Sequence, residues 1–193
     1  FALCLIENRL AWYNANQFEI WPKETIRPRL VKNKPVVENI VIGAPKCGTT
    51  WIYENLKGVT GVCISSRKET NIFLRDVVID LQSFWSGLGH VTDVSPDYFI
   101  SEHAIERIKK HNPDVKLIAV LRNPIDRAVS HYQMLRSYGS RALGDWSKDR
   151  QVTTETSWVQ ASLYSKWIPL WRKEFNNNLL VLDFRSIIVE PTQ

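Results

Sequence analysis

The chain holds few of the residues that staple, span or break up a protein. It has three cysteines, Cys4, Cys47 and Cys63, and three cannot all pair with one another. None forms a Cys-x-x-Cys pair or joins a Cys/His cluster at zinc-ligand spacing. That argues against a disulfide scaffold and a structural zinc, and for a reducing compartment. Glycine and proline, 8 and 9 residues, are too sparse for a collagen-like or low-complexity chain. No run approaches the roughly 18 apolar residues of a membrane span. The opening stretch, Phe1–Trp12, carries Glu7 and Arg9 and lacks the basic region that starts a secretory signal. An initiator Met is also missing, which leaves room for a leader or anchor upstream.

What is there suits one domain with its own core: 193 residues, 44% hydrophobic and 23% charged, with a mean hydropathy of −0.23. Lys and Arg outnumber Asp and Glu by 25 to 20, giving a net charge of +5. Such a surface favours an anionic partner, whether phosphate ester, nucleotide, acidic glycan or nucleic acid, or is simply solvated. The basic residues are not interleaved with an RNA-reading aromatic motif, which places nucleic acid last.

Residues 1–35 read as a basic extension in which Lys23, Arg27, Arg29, Lys32 and Lys34 alternate with Pro22, Pro28 and Pro35, so no long helix forms. Residues 36–193 read as the domain. Val36, Val37, Ile40, Val41 and Ile42 make an apolar run ending at Gly43, a buried strand, and Thr49–Lys57 follows as a helix stopped by Gly58. The pattern repeats: a helix over 103–111, a strand over Val115–Leu121, a helix over 124–136 and a strand over Leu179–Phe184. Leu163, Trp167, Leu170, Trp171 and Phe175 recur at helical spacing, with Pro169 expected to kink or interrupt that element. Apolar strands alternating with amphipathic helices predict an α/β fold, a P-loop-like parallel sheet with helices on both faces.

Two strand–turn–helix corners carry the chemistry. In Gly43-Ala-Pro-Lys46-Cys47-Gly48-Thr49-Thr50-Trp51, a glycine-bounded turn feeds a helix and offers free N–H groups at its positive end, a ready anion site. Lys46 adds a charge, and Thr49 and Thr50 add hydroxyls. The loop departs from the nucleotide-triphosphatase pattern because Thr49, not Lys, follows Gly48, and no acidic residue reads as ending a strand to complete a Mg²⁺ site. It is expected to hold a phosphate-like group without an obligatory metal. In the second corner, Leu121-Arg122-Asn123-Pro124-Ile125-Asp126-Arg127-Ala128-Val129-Ser130-His131-Tyr132, Arg122 leaves a buried strand where open α/β sheets bind ligands, and Ser130 follows about two helical turns in.

Together the corners resemble the PAPS-dependent sulfotransferases (PAPS is 3′-phosphoadenosine 5′-phosphosulfate). GAPKCGTTW is similar to their 5′-phosphosulfate loop and LRNPIDRAVSHY to their 3′-phosphate motif. Between them, Lys68-Glu69-Thr70-Asn71-Ile72-Phe73 and Asp93-Val94-Ser95-Pro96-Asp97-Tyr98-Phe99 resemble segments of the heparan-type and bacterial glycan members. SLYSKWIPLWRKEFNNNLLVLDFRSIIVEP resembles the family's later helix–strand–turn. The matches run in family order from Val36 to Pro191.

The resemblance implies roles. Lys46 would contact the transferring sulfuryl group. Cys47, Gly48, Thr49 and Thr50 would form the 5′-phosphate loop, Trp51 would lie against adenine, and Arg122 and Ser130 would hold the 3′-phosphate. Glu69 would be the general base for an acceptor hydroxyl, on a glycan or a small alcohol, with His131 as a rival. His90, His103 and His111 read as loop or helix-surface residues, and Trp167 and Trp171 as core. Val94 stands where glycan-branch members usually place Lys, and Ser162 where a glycine is common. The chain ends at Gln193, before the family's final helices and basic loop, and is expected to be truncated there. A cytoplasmic setting is expected, or the Golgi lumen if an anchor lies upstream. A Mg-dependent P-loop kinase or triphosphatase and a catalytically inactive nucleotide-binding module stay open as alternatives.

Overall fold

The computed structural model describes residues 30–31, 34–75, 81–137 and 157–187. At its centre strand β1 (Asn39–Gly43) is buried along all five residues, which explains its unbroken apolar run. Helix α1 (Thr49–Leu56) follows, then strands β2 (Val62–Ile64) and β3 (His90–Val94), helix α2 (Glu102–His111), strand β4 (Lys116–Leu121), helix α3 (Pro124–Ser137), helix α4 (Tyr164–Phe175) and strand β5 (Leu179–Asp183). The sheet order is β2-β3-β1-β4-β5, and every neighbouring pair is parallel. The expected strands and helices are all present. β2 and β3 are additional. Of the extension 1–35, only Leu30–Val31 and Lys34–Pro35 are described, as an antiparallel pair.

This order creates one topological switch. From β1 the chain moves toward β2, and from β4 it moves to the opposite side, toward β5. The loops leaving β1 and β4 therefore part at the carboxyl ends of adjacent strands, where open α/β sheets form their ligand crevice. Both chemistry-bearing corners sit there.

The helices bury the faces their spacing predicts. Ala104, Ile105 and Ile108 of α2 are buried, its start is capped by the Ser101 hydroxyl accepting from the Ala104 N–H at 3.1 Å, and Lys109 and Lys110 complement its C-terminal dipole. Trp167, Trp171 and Phe175 of α4 are core residues, and the Trp171 indole donates to the Phe99 carbonyl at 3.0 Å. Pro169 does not interrupt this helix, which runs through it. Pro169 and Ser165, whose carbonyl loses its partner to the proline, are both exposed, so water can satisfy the freed group. His111 is not a surface residue. Its Nε2 accepts from the Val37 N–H at 2.9 Å and its ring lies 5.2 Å from that of Phe73. Burial lowers its pKa.

Candidate active site

At the first corner, Gly43 has φ 133°, and a Cβ there would stand 2.6 Å from the Pro96 carbonyl oxygen, so no side chain fits. Lys46 is held at φ 67°, in the left-handed region that costs a non-glycine residue about 1–3 kcal/mol. Its Nζ lies 3.4 Å from Met134 Sδ on α3. Cys47 is wholly buried, and burial pushes its thiol up to about 11 despite the Tyr164 hydroxyl beside it. Gly48, at φ 78°, leads into α1 with no side chain capping the helix start. Thr49 is buried, Thr50 exposed and Trp51 half-buried against the core.

At the second corner, the Asn123 carboxamide oxygen accepts from Ile125 N–H at 3.0 Å and Asp126 N–H at 3.3 Å, and Pro124 opens α3. Arg122 is half-buried. The Tyr164 hydroxyl donates to its carbonyl at 2.9 Å, and its guanidinium lies 4.8 Å from the centroid of the Phe184 ring. Ser130 is half-buried on α3.

The two corners share a wall. Phe184, just past β5, is also the nearest side chain to Gly48, where a Cβ would come within 3.1 Å of its ring. From the other side, Arg127 of α3 donates to the Pro45 carbonyl at 3.2 Å, immediately before Lys46. Lys46 and Arg122 thus belong to loops joined through Phe184, α3 and Tyr164.

Glu69 sits on a separate loop over 65–71. Its backbone is left-handed (φ 60°), its N–H donates to the Val94 carbonyl at 2.9 Å, and its carboxylate pairs with Lys68. The neighbouring Thr70 is anchored beneath it. Its hydroxyl donates to Asp93 Oδ2 at 2.9 Å, a carboxylate that also accepts from Ser95 and from Tyr98 at 2.9 Å. Asp93 is fully buried, and burial lifts its pKa to about 6 against the pull of these hydroxyls. The expectation that no acidic residue ends a strand is corrected by Asp183, the last residue of β5, which pairs with Arg185; Asp93 stands one residue before the end of β3, with its oxygens engaged by hydroxyl donors. Val94 is fully buried, so that position presents its side chain to the core.

His131 is buried beside Arg127, whose Nη1 lies 3.1 Å from its Nδ1. Because guanidinium only donates, Nδ1 accepts and the ring proton sits on Nε2. Burial, then the charges of Arg127 and Lys46, hold its pKa down to about 4. Its basicity is spent on the interior.

Four residues of this site went unassigned in the sequence: Asp93, Arg127, Tyr164 and Phe184. All lie within the motif segments, yet nothing in spacing alone separates a buried hub from a surface charge. Arg127 and His131, four apart on one helix face, were the one available signal.

Residues 38–193 match the Sulfotransferase domain family. Human heparan sulfate glucosamine 3-O-sulfotransferase 5 is 30% identical over 188 residues, covering 88% of this chain and 54% of its own length. Bifunctional heparan sulfate N-deacetylase/N-sulfotransferase 1 of Xenopus tropicalis is 26% identical over 200 residues, covering 90% of this chain and 22% of its own. The chain therefore spans about half, or less, of the curated relatives it matches. In fold, it is similar to a sulfotransferase from Alicyclobacillus acidocaldarius, with a TM-score of 0.59 and 22% identity over 77% of this chain and 73% of that one. Neither the loop chemistry nor these matches favour a kinase or triphosphatase. On its sequence match over 38–193, the chain belongs to the sulfotransferase domain family, among relatives of the heparan type.

Proposed function

We propose that this chain carries the sulfuryl-transfer machinery of an enzyme that uses PAPS to sulfate a hydroxyl on a carbohydrate acceptor. The observation that carries the reading is the shared wall: two anion-binding corners, on the loops after β1 and β4, converge through Phe184 and Arg127. When bound, PAPS supplies an activated sulfuryl group with a phosphate as its leaving group.

The chain's own residues divide the work. The main-chain N–H groups from Cys47 to Thr50, with the Thr49 and Thr50 hydroxyls, hold the 5′-phosphate at the start of α1. Arg122 and Ser130 hold the 3′-phosphate, with Arg122 braced on Phe184. Trp51 lies against the adenine. Lys46, held in its left-handed conformation, offsets the negative charge that develops on the leaving phosphate oxygen. Glu69 takes the proton from the acceptor hydroxyl. His131 does not serve as base, because its Nδ1 is engaged by Arg127 and its pKa sits near 4. The relatives named for heparan sulfate, together with the chain's net charge of +5, support an acidic glycan as acceptor.

Calorimetric titration with adenosine 3′,5′-bisphosphate tests the reading. Wild type binds, and Arg122→Ala loses at least about tenfold in affinity, the loss expected for a charge-assisted phosphate contact. A folded wild type that binds no bisphosphate overturns it. Binding without transfer from labelled PAPS to any heparan-type acceptor marks an inactive binding module instead.

A further inference from the structure

Arg127 is the one fully buried guanidinium among the described residues. Its Nε donates to Ser162 Oγ at 2.7 Å, Nη1 donates to the Pro45 carbonyl at 3.2 Å and to His131 Nδ1 at 3.1 Å, and Nη2 donates to the Trp158 carbonyl. Four of its five donors are thus met, every one by a neutral acceptor. Among the described residues no carboxylate pairs with it, and burial lowers its pKa without removing its charge. A buried charge without a counter-ion is costly, and a leucine would fill the same volume more cheaply. Its bonds show where that charge acts. They tie the loop before Lys46 to the α3 corner and to Ser162, whose hydroxyl in turn donates to the Pro124 carbonyl at 2.9 Å.

We infer that Arg127 is a positioning residue for the nucleotide: its guanidinium fixes the spacing between the two phosphate corners, and its charge is balanced by the bound nucleotide rather than by a protein carboxylate. Arg127 does this without touching the ligand, acting through the Pro45 carbonyl and the potential it sets up in a dry interior. Ser162 completes the device as the acceptor that holds Nε in register. This rests on the reading that the corners hold a 3′,5′-bisphosphate nucleotide.

The experiment is calorimetry of the full chain with adenosine 3′,5′-bisphosphate at low and high salt, for wild type, Arg127→Gln, Arg127→Lys and Ser162→Ala, each first checked for folding by circular dichroism. Arg127→Gln is expected to bind at least about tenfold more weakly at low salt and with a shallower salt dependence, because a buried charge has left the site. Arg127→Lys keeps the wild-type salt dependence while losing affinity, since the fork onto Pro45 and Trp158 is gone. Ser162→Ala loses affinity a few-fold at unchanged salt dependence. A purely structural role would move the melting temperature and leave the salt dependence alone. A folded Arg127→Gln that binds within twofold of wild type, with the same salt dependence, overturns the inference. If Arg127→Gln does not fold, wild-type affinity in both folded Arg127→Lys and Ser162→Ala overturns it equally. Absence of binding by wild type removes the nucleotide reading itself, whereas tight binding by wild type and variants alike removes only the role of Arg127.

Discussion

The guanidinium of Arg122 rests 4.8 Å from the centroid of the Phe184 ring, although the two residues lie on different strands' outgoing turns. The contact fixes Arg122, the proposed ligand of the 3′-phosphate, against the floor of the other corner, since the same ring crowds Gly48. Phe184→Ala is therefore expected to leave the fold intact and weaken bisphosphate binding by about 3- to 10-fold, the worth of a partly desolvated cation–π contact. Calorimetry beside Arg122→Ala checks it, and unchanged affinity counts against the brace.

Gly48→Ala is expected to be severe for two separable reasons. A residue at φ 78° pays about 1–2 kcal/mol for a Cβ, and that Cβ would also meet Phe184 at 3.1 Å. Denaturant unfolding of the single variants and of Gly48→Ala with Phe184→Ala separates them. The double variant should be more stable than the sum of the two losses, because truncating the ring relieves the contact while the backbone strain stays. Strict additivity would mean the ring is not what Gly48 makes room for.

Acid stability should reveal two opposed titrations. Asp93, raised to about 6, binds its proton more tightly in the folded state, so its share of stability is present at low pH and is lost as pH climbs from about 4 to about 6. His131, depressed to about 4, binds its proton less tightly when folded, so its share is present above about 6.5 and is lost as pH falls toward 4. Between pH 4 and 6 the two offset each other. Relative to wild type, Asp93→Asn should lose up to about 3 kcal/mol on acidification across that window, and His131→Asn should gain a similar amount. Thermal or urea unfolding at a series of pH values measures both, and parallel wild-type and variant profiles would sink the assignment.

Glu69→Gln keeps shape and removes the proton acceptor. Transfer from labelled PAPS should fall by about 10²-fold or more while bisphosphate affinity stays at the wild-type level. Lys46→Ala should also abolish transfer with the fold retained, because the proposed role of its charge is to offset the one that develops on the leaving oxygen. Full turnover by Glu69→Gln would send the search for the base elsewhere on the loop over 65–71.

Much of this architecture is legible in the order of the amino acids. β1, β4 and β5 announce themselves because their residues form apolar runs, in β1 buried along its whole length. β2 and β3 do not. Val62–Ile64 is only three residues long at the sheet edge, and His90–Val94 hides its strand character behind His90, Thr92 and Asp93, which are polar because each bonds to a neighbour. The two strand-to-helix corners are legible as turns, because glycine and proline at the end of an apolar run mark where a strand stops and a helix begins. Arg127, Ser162 and Asp93 are not, because a buried charge and a surface charge are spelled with the same letters. Pro169 misleads because a proline weakens a helix without always ending it: here the helix runs on, and solvent reaches both Pro169 and Ser165, whose carbonyl it orphans.

The central position of β1 has a consequence for how this protein comes to life on the ribosome. β1 is made before both of its partners in the sheet, β3 and β4. Non-local pairing of that kind is slow to nucleate, since a long intervening chain must close before any ladder rewards it. A nascent chain that has not yet delivered Lys116–Leu121 has glycines and a lysine but no cradle. The capacity to hold a nucleotide should switch on only once β4 docks, so chains truncated before Leu121 are expected to be ready substrates for chaperones and proteases rather than weak versions of the finished protein.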